Sequence, residues 1–360
     1  MYVPETFWAS LERAKRRPGE IDRETILSLM EGSVNIVARD ALFQAADELR
    51  HRYMGDEVHL RGIIEFSNNC VRNCHYCGLR AANTGLPRYR MSSDEIVATA
   101  ERAARLGFGT VVLQSGEDPV WDAPALAEVV HKIKRRTGLA ITLSVGDRSR
   151  EDYALWREAG ADRYLLKHET ADPELFRRLR PGTTLAGRLT ALRHLRELGY
   201  QVGSGNIVGL PGQTLSSLAD DVALLQELDV EMAGIGPFIP HPQTPLAAAS
   251  PGAVDLTLRV LAVTRLAVPW AHLPATTALG TIDPEGRQKA LRCGANVVMP
   301  NVGPTEYRPL YQIYPGKICL SEMAEKCLSC LGRMVQTLGR TIGQGPGDSP
   351  KPRFQQRDNG

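Results

Sequence analysis

Between Asp22 and Arg52, apolar residues recur at three- and four-residue intervals, at Ile26, Leu27, Met30, Ile36, Val37, Ala41, Leu42, Ala45 and Leu49, the spacing of one helix face. At Val58 the period shortens, and Leu60-Arg61-Gly62-Ile63-Ile64-Glu65-Phe66 reads as a strand. Beyond it, strand-like and helix-like stretches alternate. Strands are expected at Ile63–Phe66, Thr110–Gln114, Ala140–Val145, Arg163–Lys167, Val202–Val208, Met232–Ile235, Ala271–Ala275 and Asn296–Met299. Helices are expected at Ser93–Ala104, Ala123–Arg136, Arg150–Ala159, Leu215–Leu228, Asp255–Ala267 and Gly286–Arg292. Ser92-Ser93-Asp94-Glu95 has the chemistry of a helix start, and Gly107 and Gly160 follow two helix ends. Such alternation implies an α/β fold with a parallel sheet, and eight units close a (β/α)8 TIM-type barrel where an open doubly wound sheet would need fewer.

The pattern divides the chain into an N-terminal helical extension over 1–57, a barrel over 58–310, a C-terminal helical and cysteine-bearing segment over 311–342, and a tail over 343–360. The tail's Gly-Gln-Gly-Pro-Gly-Asp-Ser-Pro-Lys-Pro run has too little apolar content to fold and is expected to be disordered. With 360 residues, 43% of them hydrophobic, the chain can bury the core a barrel needs. Its 43 basic and 41 acidic residues are interspersed and leave a formal net charge of +2. That balance calls for neither nucleic acid nor an anionic membrane and points to a small substrate. Residues 1–17 carry charges throughout, and no window approaches the roughly 20 apolar residues of a membrane span, so a cytoplasmic protein is expected.

Seven cysteines fall as Cys70, Cys74 and Cys77, a lone Cys293, and Cys319, Cys327 and Cys330. In a reducing compartment two tight groups of three argue for metal rather than disulfides. Cys293, beside Gly294, is expected in the core. Cys70-x3-Cys74-x2-Cys77 begins where the first barrel strand ends and supplies three thiolates from one loop. Three thiolates anchor three irons of a 4Fe-4S cubane and leave the fourth open, as catalytic metals are left. His75 could be offered to zinc as a fourth ligand, but a closed structural knuckle does not explain a barrel built around the loop.

With Tyr76 as the aromatic before the last cysteine, the loop resembles the signature of the radical S-adenosylmethionine (SAM) superfamily. The resemblance implies a reduced 4Fe-4S cluster that binds SAM at its open iron and passes an electron to the sulfonium, giving a 5′-deoxyadenosyl radical. It also implies SAM contacts along the C-terminal rim of the barrel. Gln114-Ser115-Gly116-Glu117 sits where the superfamily places a Gly-Gly-Glu-like turn, with Ser115 in place of the first glycine. Glu169, after strand four, and Arg188 suit ribose hydroxyls and a carboxylate. Gly205, Ile207 and Gly209 resemble the Gly-x-Ile-x-Gly segment, where glycines let backbone approach the nucleoside, and Met232 is either an adenine contact or core filling.

Three further stretches, Val112 to Pro119, Gly234 to Pro242 and Pro274 to Thr281, with Arg163-Tyr164-Leu165-Leu166 and Tyr311-x2-Tyr314-Pro315-Gly316-Lys317, look like the HydE family of FeFe-hydrogenase maturases. The likeness runs from about residue 22 to about residue 340, with Lys167 a departure where relatives often have arginine. It implies an iron-carbonyl-cyanide-cysteine substrate received from a HydG-like maturase, a HydF-like partner, and a reductant such as flavodoxin or ferredoxin. Ser144, Arg163, Thr276, Thr277 and Tyr311 are the expected substrate contacts. Methylornithine synthase and biotin synthase share barrel and cluster and are the close rivals; a noncatalytic iron-sulfur carrier would not require SAM-like rim turns. Cys319, Cys327 and Cys330 lie outside the lumen and either hold a second 2Fe-2S or 4Fe-4S cluster, or zinc, in an accessory role, or are reduced surface cysteines.

Overall fold

In the computed structural model, which describes residues 3–355, three helices precede the first strand: α1 (Glu5–Arg16), α2 (Arg23–Gly32) and α3 (Ile36–Met54). The Asp22 and Asn35 side chains cap the second and third by accepting from the Thr25 and Val37 N–H groups. The chain continues as β1 (Glu57–Ser67), α4 (Ser93–Arg105), β2 (Thr110–Ser115), α5 (Ala123–Thr137), β3 (Ala140–Ser144), α6 (Arg150–Glu158) and β4 (Arg163–Leu165). Next come α7 (Pro173–Leu179), α8 (Leu185–Glu197), β5 (Gln201–Ser204), β6 (Ile207–Val208), α9 (Leu215–Glu227), β7 (Met232–Ala233) and β8 (Gly236–Pro237). The last elements are α10 (Val254–Ala267), α11 (Thr277–Ile282), α12 (Gly286–Arg292), β9 (Val297–Val298), α13 (Ala324–Thr337), β10 (Thr341–Ile342) and α14 (Pro352–Gln355).

Parallel pairing runs from β1 through β2, β3, β4 and β5 to β7. Single bridges, Met232 to His272 and Pro274 to Val297, carry it through the seventh strand position to β9, which pairs back onto β1. The barrel expected from the alternation of elements is therefore present, with strand seven held by bridges rather than a continuous ladder. Its apolar outer faces pack under the helices, and the N-terminal extension lies on one flank, with α2 against α9 and α3 against α10.

Two expected strands are interrupted. Val202–Val208 breaks into β5 and β6 around Gly205, and Met232–Ile235 into β7 and β8 around Gly234. The two interruptions face each other, since a Cβ on Gly205 would stand 2.1 Å from the Gly234 carbonyl oxygen. Helices α7 and α8, which the hydrophobic pattern did not delimit, fill the crossover after strand four; α8 buries Arg188 among its apolar residues, which blurs its periodicity.

The tail departs from expectation. Through Gln355 it is ordered, and only residues 356–360 of it lie outside the described residues. It lies across the N-terminal end of the barrel. Arg163, with no exposed surface, donates to the Pro346 carbonyl at 2.9 Å and to the Asp348 carboxylate at 2.6 Å. Arg61 donates to the Gly347 carbonyl at 3.1 Å, Thr110 to that of Pro346 at 2.7 Å, and Lys351 to the Val230 carbonyl at 3.1 Å. Too poor in apolar residues to fold alone, the tail is ordered by the polar groups that the strand starts present to it.

Candidate active site

Alternation along the strands assigns inward side chains to layers. On β1, Arg61 faces the tail while Ile63 and Glu65 line a cavity above it; on β4, Arg163 faces the tail while Leu165, and beyond the strand Lys167, line the same cavity. This cavity of about 380 Å³ opens at the C-terminal end of the barrel, where enzymes of this architecture place their chemistry. Cys70, Cys74, Tyr76 and Cys77 form part of its wall.

The cysteine loop follows β1 directly, and the turn after β2 packs under it. The backbone N–H groups of Arg72 and Glu117 each stand 3.4 Å from the Cys70 sulfur. Gly116 is required there, because a Cβ would lie 2.2 Å from the Asn69 carbonyl oxygen. Tyr76 is held from the other side, its hydroxyl accepting from Arg180 at 3.0 Å, while the His75 N–H donates to the Leu179 carbonyl at 2.8 Å. Burial pushes all three thiols up from their ordinary range, a cost that metal coordination removes. Three soft donors from one loop, two N–H groups aimed at one sulfur and open space beside them fit an iron-sulfur cluster.

Charged groups ring the loop. Arg180 lies 3.5 Å from Glu117, 3.6 Å from Asp147 and 4.0 Å from Glu169. Burial opposes its charge, but Tyr76, Cys74 and Glu169 hold it well above the usual guanidinium range. Arg72 pairs with Glu117, and Arg188 reaches Asp147 at 2.9 Å and the Lys167 carbonyl at 2.6 Å. Glu169 sits at φ 68°, unusual for a side-chain-bearing residue, and its Oε2 is buried with no hydrogen-bond partner among the described residues. A cavity-lining glutamate with an orphaned carboxylate oxygen fits a ligand with hydroxyls to donate, as SAM has. Across the cavity Lys317 pairs with Glu65, which also accepts from Asn301 at 2.6 Å, and Gln114 donates to the Tyr311 hydroxyl at 3.3 Å.

Most residues expected at the site meet in this cavity: the three cysteines and Tyr76, Gln114 through Glu117, Ser144, Glu169, Arg188, Ile207, Thr276, Thr277 and Tyr311. Arg163 does not; it belongs to the opposite end, beneath the tail. Nor does Met232, whose sulfur accepts from Arg61 at 2.8 Å in the layer below, so its core reading is the one observed. Gly205 and Gly209 do not line the cavity either; they allow backbone to meet backbone, at Gly234 and at Gly252. Arg72, Arg180, Lys167, Glu65, Tyr314 and Lys317 line the cavity and were missed as contacts. Lys167 and Lys317 stood inside segments already singled out; nothing in the local sequence marked Arg180.

The second cysteine group lies apart from the cavity. Cys327 is buried, Cys330 exposed, and Cys319 sits at φ 62°. The neighbouring Cys327 thiol and the Arg287 guanidinium hold Cys319 well below the ordinary thiol range, and the same contact, with burial, pushes Cys327 up. Cys293 is buried in the core, as expected. Among the described residues no helix is long and apolar enough to cross a membrane.

The radical SAM superfamily profile matches residues 64–225, from the first strand through the cysteine loop to α9. The FeFe hydrogenase maturase subunit HydE of Thermotoga maritima is 53% identical over 337 residues, covering 93% of this chain and 95% of its own. A solved methylornithine synthase superposes with a TM-score of 0.82 at 27% identity, covering 93% of this chain and 97% of its own. A solved HydG, a maturase of FeFe hydrogenase, shares the fold at a TM-score of 0.79 and 19% identity, over 93% of this chain and 75% of its own. With its three-thiol loop at the barrel mouth and near-full-length identity to a maturase, the chain belongs to the radical SAM superfamily and, within it, to the HydE family of FeFe-hydrogenase maturases.

Proposed function

We propose that this radical SAM enzyme remodels a cysteine-bound iron-carbonyl-cyanide precursor during assembly of the FeFe-hydrogenase active site. The observation that carries the reading is that the three-thiol loop and the paired charges of Glu117, Arg180, Glu169 and Arg188 share one cavity, in a chain 53% identical to HydE over nearly its full length. Cys70, Cys74 and Cys77 anchor a 4Fe-4S cluster. When bound with SAM, that cluster supplies one-electron cleavage of a sulfonium C–S bond.

The chain's own residues then hold and shield. The N–H groups of Arg72 and Glu117 support the Cys70 sulfur, and the turn from Gln114 to Glu117 bounds one side of the SAM site. Glu169 accepts from ribose hydroxyls, Arg188 and Arg180 fix the surrounding carboxylates, and Ile207 with Phe238 excludes water from the nucleoside. At the far wall Thr276, Thr277, Ser144 and Tyr311, with Lys317, offer hydroxyl and cationic donors to small anionic ligands. A HydG-like maturase supplies the substrate, a HydF-like partner receives the product, and a flavodoxin or ferredoxin reduces the enzyme in the cytoplasm. Cys319, Cys327 and Cys330 serve an accessory metal site, so replacing all three with serine leaves most SAM cleavage.

The test supplies reduced, SAM-loaded enzyme separately with the HydG product, lysine and dethiobiotin, and follows each by mass spectrometry. Consumption of the iron complex alone is expected. Conversion of lysine to methylornithine, with the iron complex untouched, moves the assignment to the methylornithine synthases; absence of 5′-deoxyadenosine under all conditions leaves only a cluster carrier.

A further inference from the structure

Behind the cavity wall lies a buried carboxylate that the reading above does not use. Asp221, on α9, has no exposed surface, and its hydrogen-bond partners among the described residues are N–H donors. Its Oδ1 accepts from the Ala171 N–H and lies 3.6 Å from the His168 Nε2; its Oδ2 accepts from the Asn206 amide at 3.0 Å and the Gln213 amide at 3.3 Å. Burial pushes the Asp221 carboxyl up from its ordinary range, and the donors converging on both of its oxygens offset part of that cost. A single side chain thus ties the loop after β4 to the loop after β5 and both to α9.

Glu169 sits within that tie. His168 before it is fully buried, its Nδ1 3.0 Å from the Ser204 hydroxyl, and Ala171 after it donates to Asp221. Its own N–H donates to the Gly205 carbonyl at 2.9 Å and its carbonyl accepts from the Ile207 N–H at 3.0 Å. The residue so clamped lines the cavity and is the one with the left-handed backbone and a buried carboxylate oxygen without a hydrogen-bond partner among the described residues. A left-handed backbone at a side-chain-bearing residue persists only where its surroundings over-determine it. We infer that Asp221 is a positioning residue for SAM: by pinning the loops on either side of Glu169 it holds the Glu169 carboxylate aimed at the ligand hydroxyls without touching the ligand itself. This rests on the SAM contact proposed for Glu169.

Asp221→Asn keeps size but turns one oxygen into a donor facing donors, so the clamp loosens. The test compares wild type, Asp221→Asn, Glu169→Gln and the double variant, each matched for iron content. It reads equilibrium SAM affinity from the change in the reduced cluster's EPR spectrum, together with KM and kcat for 5′-deoxyadenosine formation. Each single variant is expected to weaken SAM binding by about tenfold, the loss in Asp221→Asn appearing as a raised KM, and the double variant to be no weaker than Glu169→Gln alone, because residues acting as one unit are non-additive. Two results overturn the inference: SAM affinity unchanged in Asp221→Asn, or an Asp221→Asn effect of full size persisting in the Glu169→Gln background. If Asp221→Asn does not fold, Asn206→Ala removes one donor, leaves the carboxylate in place and is read by the same criteria with a smaller expected loss. A wild-type enzyme that binds no SAM would instead refute the function proposed above, and Glu169→Gln with unaltered affinity would refute both the Glu169 contact and the inference built on it.

Discussion

Gly116 shows how narrowly the site is built. The turn after β2 can bring a backbone N–H to the Cys70 sulfur only because residue 116 has no Cβ to strike the Asn69 carbonyl, a neighbour fixed in the backbone. Gly116→Ala should therefore displace the cysteine loop and lower iron incorporation severalfold while the barrel stays folded; normal iron content and a normal cluster spectrum in that variant would contradict the packing described here. The same scale shows what the sequence could and could not tell. The cysteine triad, Tyr76 and the turn at Gln114–Glu117 were legible because motif and strand end coincide. Arg163 was misplaced and Met232 left open between two roles, although each begins its strand, and a residue at the start of a barrel strand lies at the end away from the chemistry. Arg180 follows a short helix and reaches the site only through the fold, so no local spacing revealed it.

Among elements, the C-terminal tail is the one whose behaviour reverses expectation. Composition argued for disorder, yet Arg61, Arg163, Gln201 and His272 at the strand starts offer it a set of donors that no window of tail sequence contains. Asp348→Ala leaves the buried Arg163 guanidinium without its carboxylate and should cost about 1–3 kcal/mol of unfolding free energy, measured by urea denaturation; an unchanged midpoint would show the tail to be a passenger. His59 packs against Gly343 and Gly347 of the same tail. Burial, then the charges of Arg61 and Arg163, push its pKa down to about 4 from 6.5. The unfolded chain therefore binds a proton that the folded chain refuses between those values, so stability is full above about pH 6.5 and is lost as the pH falls towards 4, by at most about 3 kcal/mol. His59→Gln should flatten that part of the pH profile relative to wild type; identical profiles would assign the acid sensitivity elsewhere.

At the scale of the whole molecule, the barrel divides its labour between two ends. Strand starts bind the chain's own tail, strand ends hold the cysteine loop and the charged rim, and one inward layer, with Ile63 and Leu165 in it, separates them. The alternation of elements disclosed this architecture because a β/α repeat is written in local hydrophobic periods. The interruptions at Gly205 and Gly234 were not legible, because they arise where two backbones meet across the sheet rather than within either segment. The central claim is that this architecture serves reductive cleavage of SAM through the Cys70 loop. Its most direct test is to quantify 5′-deoxyadenosine from anaerobically reconstituted protein given SAM and a strong one-electron reductant, beside variants in which Cys70, Cys74 or Cys77 is serine. The account predicts product from the wild type and only background from each of the three variants; a serine variant that forms 5′-deoxyadenosine at the wild-type rate would contradict it.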